Sequence, residues 1–273
     1  MNMFKYILII PLFSYLFVAS PATNKIEKYN YYSEKKLEVG DEFTYVVSYS
    51  FIKLGEIKII VKGKKIIKGR TYYSTIAYMD SYSGIPFVNL HMIYESTLTP
   101  DYYSNFFRGI VKHKEYTTFT EYTFNYDKSL IRIKKGKVNP YTVWTDSTTP
   151  ASKEYQDGLS ILYYAMMNSG TEKTVDLPCF VNEKKETTVI NFYNQVSGVK
   201  IDPVDYDIAC VRLDGEMKFV SVFGLTGYFE GWFSDDEVSI PIVAKLKVII
   251  GNVKLELKSW KRPGWMPPRF KEN

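Results

Sequence analysis

The chain has 273 residues, of which 24 are Tyr, 17 Phe and only two Cys, and its net charge is +5. Acids and bases are interleaved with no long run of one sign, which describes a solvated surface and excludes a dedicated nucleic-acid partner. At this length the chain can form one large all-β domain or two small ones.

The first stretch, "MNMFKYILIIPLFSYLFVASPA", has one positive charge at Lys5, an apolar core from Tyr6 to Val18, and small residues Ser20 and Ala22 at positions minus three and minus one. That pattern predicts a secretory leader over residues 1–22, cleaved after Ala22, with 23–273 as a single exported domain ending in an irregular tail. The apolar run is about thirteen residues, against the roughly 20 that a spanning helix needs, so a retained anchor is the lesser alternative. The rest of the chain shows no helical span, and the expectation is a periplasmic or secreted protein with no stable membrane span once the leader is removed.

Alternation with period two dominates the sequence beyond the leader. In "EFTYVVSYSF", Phe43, Tyr45, Val47, Tyr49 and Phe51 share one face and Thr44, Val46 and Ser48 the other, which predicts a strand with an aromatic face. Further strands are predicted at Glu56 to Lys62, Thr71 to Tyr82, Leu90 to Thr97, His113 to Tyr126 and Leu130 to Lys134. A second group falls at Thr187 to Tyr193, Ile208 to Leu213, Lys218 to Val222, Thr226 to Phe233 and Ile240 to Leu257. The segments "KGKK", "NYDKS", "KKGKV", "LDGE" and "SDDE" read as the turns between them. The fold class is therefore mainly β: a curved antiparallel sheet, half-barrel or barrel.

One segment breaks this period. In "YQDGLSILYYAMMNSG", Asp157 is placed as an N-cap, Leu159, Leu162, Tyr163 and Met166 recur at helical spacing, and Gly170 sits where a left-handed residue ends a helix. Ile161, Tyr164 and Ala165 make the helix apolar nearly all round, so it must be buried, lying in the concavity of the sheet or across a barrel mouth. The preceding "DSTTPASKEY" and the tail "KRPGWMPPRFKEN" read as irregular chain.

Residues that carry chemistry are few. His91 and His113 both lie in strand-like surroundings and read as hydrogen-bonded sheet residues, and no nucleophile elbow, phosphate loop or HExxH occurs. Asp202, Asp205 and Asp207 resemble a loose calcium loop but lack the Gly and distal Glu of an EF-hand, so a solvated loop is the better reading. No cofactor or metal is expected. Cys179 and Cys210, an even pair in an exported chain, permit one disulfide, with two buried thiols as the alternative. Asp235, Asp236 and Glu237 fall between two alternating strands beside Ser234 and read as a hairpin tip, not a catalytic cluster.

The helix start "YQDGLSILYYA" and the later "GWFSDDEVSIPIVAKLKVIIGNVKLEL" together resemble a family of bacterial exported proteins known as domain of unknown function 3108. The likeness rests on Gln156, Asp157 and Ser160, on Trp232, Ser234 and Asp236, and on Pro241 and Gly251, with "LEVGDEFTYVVSYSFIKLGEIKIIV" fitting the family's opening hairpin. The family's usual basic pair before the Pro is replaced by Val238, Ser239 and Ile240. The resemblance implies no activity and no catalytic residues.

The abundant Tyr offers an apolar body with a polar tip, suited to the wall of a groove for an amphipathic ligand. The expected function is non-enzymatic: binding of a lipid or other hydrophobic component of the cell envelope by a β half-barrel. The ligand-facing residues expected are Tyr45, Tyr49, Leu159, Tyr163 and Trp232. The alternatives are a scaffold of envelope assembly with no small ligand and a glycan-acting enzyme, which needs two facing carboxylates.

Overall fold

The computed structural model describes residues 37–85, 89–220, 226–247 and 252–272, so the leader read at residues 1–22 lies outside the described residues. The first meander comprises β1 (Glu42–Tyr49), β2 (Ile52–Ile67), β3 (Arg70–Ser81), β4 (His91–Leu98), β5 (Ser104–Lys112), β6 (Thr117–Asn125), β7 (Leu130–Lys137) and β8 (Thr142–Pro150). The helix α1 (Ser160–Asn168) comes next. The second meander comprises β9 (Lys173–Val181), β10 (Lys184–Val199), β11 (Ile208–Met217), β12 (Gly227–Ser234), β13 (Pro241–Lys247) and β14 (Asn252–Lys261).

These fourteen strands form one antiparallel sheet in the order β8-β7-β6-β5-β4-β3-β2-β1-β14-β13-β12-β11-β10-β9. The two meanders meet where β1 pairs with β14, from Glu42 opposite Lys261 to Tyr49 opposite Val253. The sheet does not close, because its edge strands β8 and β9 do not pair with each other. It curls until side chains bridge the gap: the Tyr122 hydroxyl on β6 donates to Glu183 in the β9–β10 turn at 2.9 Å, and Lys135 on β7 approaches Glu183 at 3.0 Å. The Tyr122 ring meets Phe180 of β9 edge-on at 4.9 Å.

Sequence patterning misplaces several boundaries, for a common reason. "KGKK", "KKGKV" and "LDGE" are not turns: β2, β7 and β11 run through Gly63, Gly136 and Gly215, and the hairpin after β2 turns instead at Lys68 and Gly69. A glycine inside a strand marks a bulge or a close backbone approach. The register shifts at Gly63 and again at Gly136. A side chain at Gly136 would sit 1.9 Å from the Thr142 carbonyl oxygen, and one at Gly215 would sit 2.2 Å from that of Val189. Segments read as irregular or left unassigned form β5, β8 and β9, and the long strand expected from Ile240 to Leu257 is two strands, β13 and β14. The "NYDKS" and "SDDE" segments do turn the chain.

The helix lies inside the curl. Tyr163, Ala165 and Met166 are buried in it, as is Leu159 just before it, while Leu162 is half-buried. Its start is built by Asp157, whose Oδ1 accepts from the Leu159 and Ser160 amides at 2.7 and 2.8 Å, while the Asp157 amide donates to the Ser160 hydroxyl at 2.8 Å. This reciprocal pair satisfies amides that a helix start leaves open. Oδ2 accepts from the Ser96 and Ser104 hydroxyls on β4 and β5 at 2.6 and 2.5 Å. Gln156 bridges to β9, its amide donating to the Pro178 carbonyl and its carbonyl accepting from Phe180, both at 2.8 Å. Gly170 has φ +74, the left-handed stop expected.

In the β12–β13 connection the structural acid is Asp236. Asp236 Oδ1 accepts from the Ser234 hydroxyl and the Val238 and Ser239 amides, and Oδ2 accepts from the Trp265 indole at 2.8 Å, fastening the C-terminal segment to this turn. Glu237 is exposed. The disulfide permitted by sequence is not formed, since Cys179 and Cys210 are both buried free thiols. Register explains why: Cys179 lies opposite Glu186 and Cys210 opposite Ser197 on β10. That offset amounts to roughly 30 Å along the strands, far beyond the ~7 Å limit between bridged Cα atoms.

Burial outweighs the four donors at Asp157 and raises its carboxyl above the ordinary Asp range. A raised folded-state value favours the neutral acid, so this group's contribution to stability is full below the unfolded pKa of about 4 and is lost as pH rises through the folded value. Asp157→Asn removes that dependence. The parent should lose stability relative to the variant as pH rises above about 4 in urea unfolding, and a difference between the two that does not change with pH would contradict the burial argument. At the β12–β13 turn, Asp236→Ala should cost roughly 2 kcal/mol or more while Glu237→Gln stays within about 0.5 kcal/mol. Equal effects would refute the division of labour between the two acids. For the thiols, alkylation under denaturing, non-reducing conditions should label both Cys179 and Cys210, and a mass two hydrogens short with no label would contradict the register.

Candidate functional site

The interior is divided between two kinds of side chain. Beneath β4–β7, aromatic rings fill it: Tyr94 stacks on Phe107 at 5.9 Å, Phe107 on Tyr122 at 5.4 Å, and Phe124 meets Phe180 at 6.1 Å. Beneath β1–β3 and β11–β14, the inward residues are mostly aliphatic, and they leave a cavity of about 360 Å³. Ligand sites typically span about 300–1,000 Å³ and are lined mainly by apolar groups.

The first meander contributes Tyr45, Val47, Leu54, Ile57 and Met79 to the wall, and the second contributes Leu213, Phe229, Leu246, Val253 and Leu255. The helix segment supplies the floor through Leu159, Ile161, Leu162 and Ala165. Gly231 and Ala244, paired on β12 and β13, keep one wall thin. Four acids border the space, but the carboxylate of each is held by partners: Glu56 by Tyr82 and Lys258 at 2.6 Å, Asp80 by His91 at 2.8 Å, Glu230 by Arg212 at 2.8 Å, and Asp157 by Ser96 and Ser104. Lys258 and Tyr82 hold Glu56 below the ordinary Glu range.

Two polar groups on the wall are kept neutral. Burial pushes the Cys179 thiol up to about 12, which removes the thiolate needed for nucleophilic chemistry. The fully buried Tyr45 hydroxyl is raised well above the usual phenol range by the same desolvation.

Of the residues expected at the site, Tyr45 and Leu159 line the cavity. Tyr163 instead borders a separate narrow pocket with Phe43, Val61 and Met166. Tyr49 shares the inward face of Tyr45 through its pairing with Val253, but it lies at the strand end, outside the lining. Trp232 is not in the lining either; it pairs with Arg212 and Val243, and the exposed Lys245 sits 5.0 Å above its ring. The expectation that tyrosines form the wall is also corrected: Tyr45 is the only one among the described lining residues, and most other core rings pack in the filled half. The missed lining residues belong to the last strands, whose alternation was legible but whose place beside β1 was not.

His91 is a surface partner of Asp80, and the His113 ring nitrogen lies 3.1 Å from the Thr118 hydroxyl beside Tyr116. Among the described residues, no three His, Cys, Asp or Glu side chains converge in a metal-binding arrangement, Asp202, Asp205 and Asp207 included.

Comparison with known proteins agrees with this architecture. No curated protein matches the sequence significantly. Among solved structures, the chain resembles a β-barrel-like protein of domain of unknown function DUF1849 from Brucella abortus. That match has TM-score 0.53 and 9% identity, and it covers 81% of this chain and 97% of the other. At such identity the likeness concerns the fold alone. Residues 44–258, from near the start of β1 into β14, match the family described as protein of unknown function (DUF3108), and the chain belongs to that family.

Proposed function

We propose that this protein binds a hydrophobic or amphipathic ligand of the lipid type in the cavity enclosed by β1–β3, the helix segment and β11–β14, and that it does so as an exported protein of the cell envelope. The observation that carries the reading is the unfilled, almost wholly apolar cavity of about 360 Å³. A concave space of this size with mostly aliphatic walls and few polar groups has the character of a site for an apolar ligand. The aromatic half of the same interior is filled by stacked rings. The bordering acids favour binding over hydrolysis, because each carboxylate is already committed to a tyrosine, serine, histidine, lysine or arginine partner. The leader pattern in residues 1–22 supports export.

Titration with an uncharged naphthylamine dye tests the reading. The parent should bind the dye and release it to a lipid extract. Ala244→Phe, which inserts a ring into the thin wall, should weaken dye binding about tenfold or more, equivalent to roughly 1.4 kcal/mol. A folded parent that takes up no dye would overturn the proposal.

A further inference from the structure

Two buried polar side chains at the border of the cavity have no partner among the described residues. Gln156 and Thr188 are both fully buried, and the Gln156 Oε1 and Nε2 atoms and the Thr188 Oγ1 atom make no hydrogen bond. Leaving such groups unmet is costly, and an orphaned buried amide in a native protein calls for a reason. Anchoring of the chain does not provide one, since the Gln156 backbone bonds to Pro178 and Phe180 hold this segment against β9 whatever side chain it carries. The other glutamine of the chain, Gln195, is exposed.

Register brings the two groups to the same patch of the interior. Gln156 is bridged to Cys179 in parallel, so the two side chains share a face. Cys179 and Val181, alternate residues of β9, line the cavity, as do Ile190 of β10 and Met217 of β11. Thr188 is one alternation from Ile190 on the same face of β10, opposite Leu177 and Met217. Gln156, Cys179 and Thr188 therefore lie on three adjacent segments, about 5 Å apart from one to the next. Cys179 and the neighbouring Asp157 belong to the lining, and Gln156 and Thr188 stand directly beside them. The described lining contains no Lys, Arg or His. An anionic group placed here would be buried without a counter-charge.

We infer that the ligand carries an uncharged polar group that both donates and accepts, a hydroxyl or an amide, and that this group lodges at Cys179 between Gln156 and Thr188. It donates to Gln156 Oε1 and accepts from Gln156 Nε2 or the Thr188 hydroxyl, while its chain runs along the aliphatic wall. The inference rests on the proposed ligand binding and narrows it to a neutral amphipath seated with its polar end at the Asp157 corner. A hydrocarbon leaves both side chains unmet, and a carboxylate brings a charge that nothing in the described lining balances.

Competition against the naphthylamine dye, under mildly alkaline conditions, compares decanol, decyl chloride and decanoate, which share a chain and differ in the end group. The parent should bind decanol about tenfold more tightly than decyl chloride, the worth of one net hydrogen bond, and decanoate least. Gln156→Leu and Thr188→Val keep the volume and remove the polar atoms. Each should cut the preference for decanol at least about threefold, with dye affinity within about twofold of the parent, and the double variant should abolish it. Both ligand-free variants should melt no lower than the parent, because a buried orphan has been removed. In amide spectra, the side-chain signals that disappear in Gln156→Leu should shift in the parent with decanol, while those of Gln195 stay in place. A parent that binds the dye, decanol and decyl chloride without preference ends the inference and leaves the ligand reading standing, with water alone meeting the two side chains. A preference that survives both substitutions, or decanoate bound as tightly as decanol, overturns it as well. A variant that fails to fold or melts markedly lower would give the polar atoms a structural role and do the same. A parent that takes up neither dye nor any decyl compound removes the ligand reading and the inference with it.

Discussion

The buried carboxylate of Asp157 is the point on which the architecture turns. An open sheet of fourteen strands has two free edges, and nothing in the backbone ladder compels β8 and β9 to approach each other. Asp157 sits between them, accepting from the hydroxyls of two first-meander strands on one oxygen and from two amides of the helix start on the other. Its neighbour Gln156 holds β9 through two backbone bonds. A buried carboxyl group is tolerated only when its polar atoms are satisfied, and here the satisfaction requires strands from one meander, the helix and the connecting chain all in place. The helix is consequently held inside the curl, where its apolar surface has somewhere to go.

That placement creates the division of the interior. The helix and the Gln156 bridge draw β9 toward β6, and the rings of Tyr122, Phe124 and Phe180 interlock in the narrow angle that results. On the other side of the helix the inward residues are mostly aliphatic, with Tyr45, Phe229 and Phe233 among them and the small Gly231 and Ala244 on one wall, and they leave the cavity open. The same helix thus consolidates one half of the core and floors a space in the other. A ligand in that space would meet side chains that adapt to shape, with few polar groups to fix an orientation.

How much of this is legible before folding depends on the range of the interaction. Strand alternation, the apolar helix, the stop at Gly170 and the turn at Asp236 are local, and so are the bonds of Asp157 to Leu159 and Ser160, although the N-cap itself is Leu159, two residues beyond the Asp157 expected from sequence. Glycines mislead because the same residue that permits a tight turn also permits a close backbone approach, as at Gly136 and Gly215; sequence alone does not distinguish the two. The strand β8 is hidden because it is an edge exposed on both faces, with no buried side to impose alternation. Trp232 and Tyr49 are misjudged because their inward or outward placement, and their height in the barrel, depend on the register with β13 and β14. The cavity as a whole is the least legible feature, since its wall is assembled from both ends of the chain.

The pairing of β1 with β14 also governs how the chain can be made. Every other neighbouring pair in the sheet joins consecutive strands, so each hairpin can zip as its second strand emerges. The exception is β1, among the first segments synthesised, which has β2 on one side and must keep its other edge open until the final strand arrives, Glu42 waiting for Lys261. Throughout that interval the growing polypeptide carries an unpaired row of amides and carbonyls bordered by Tyr45 and Val47, a template for pairing with any extended segment nearby. Were the chain exported as proposed, threading before folding would shorten the interval, because the last strand would follow the first into the same compartment without the wait imposed by the ribosome.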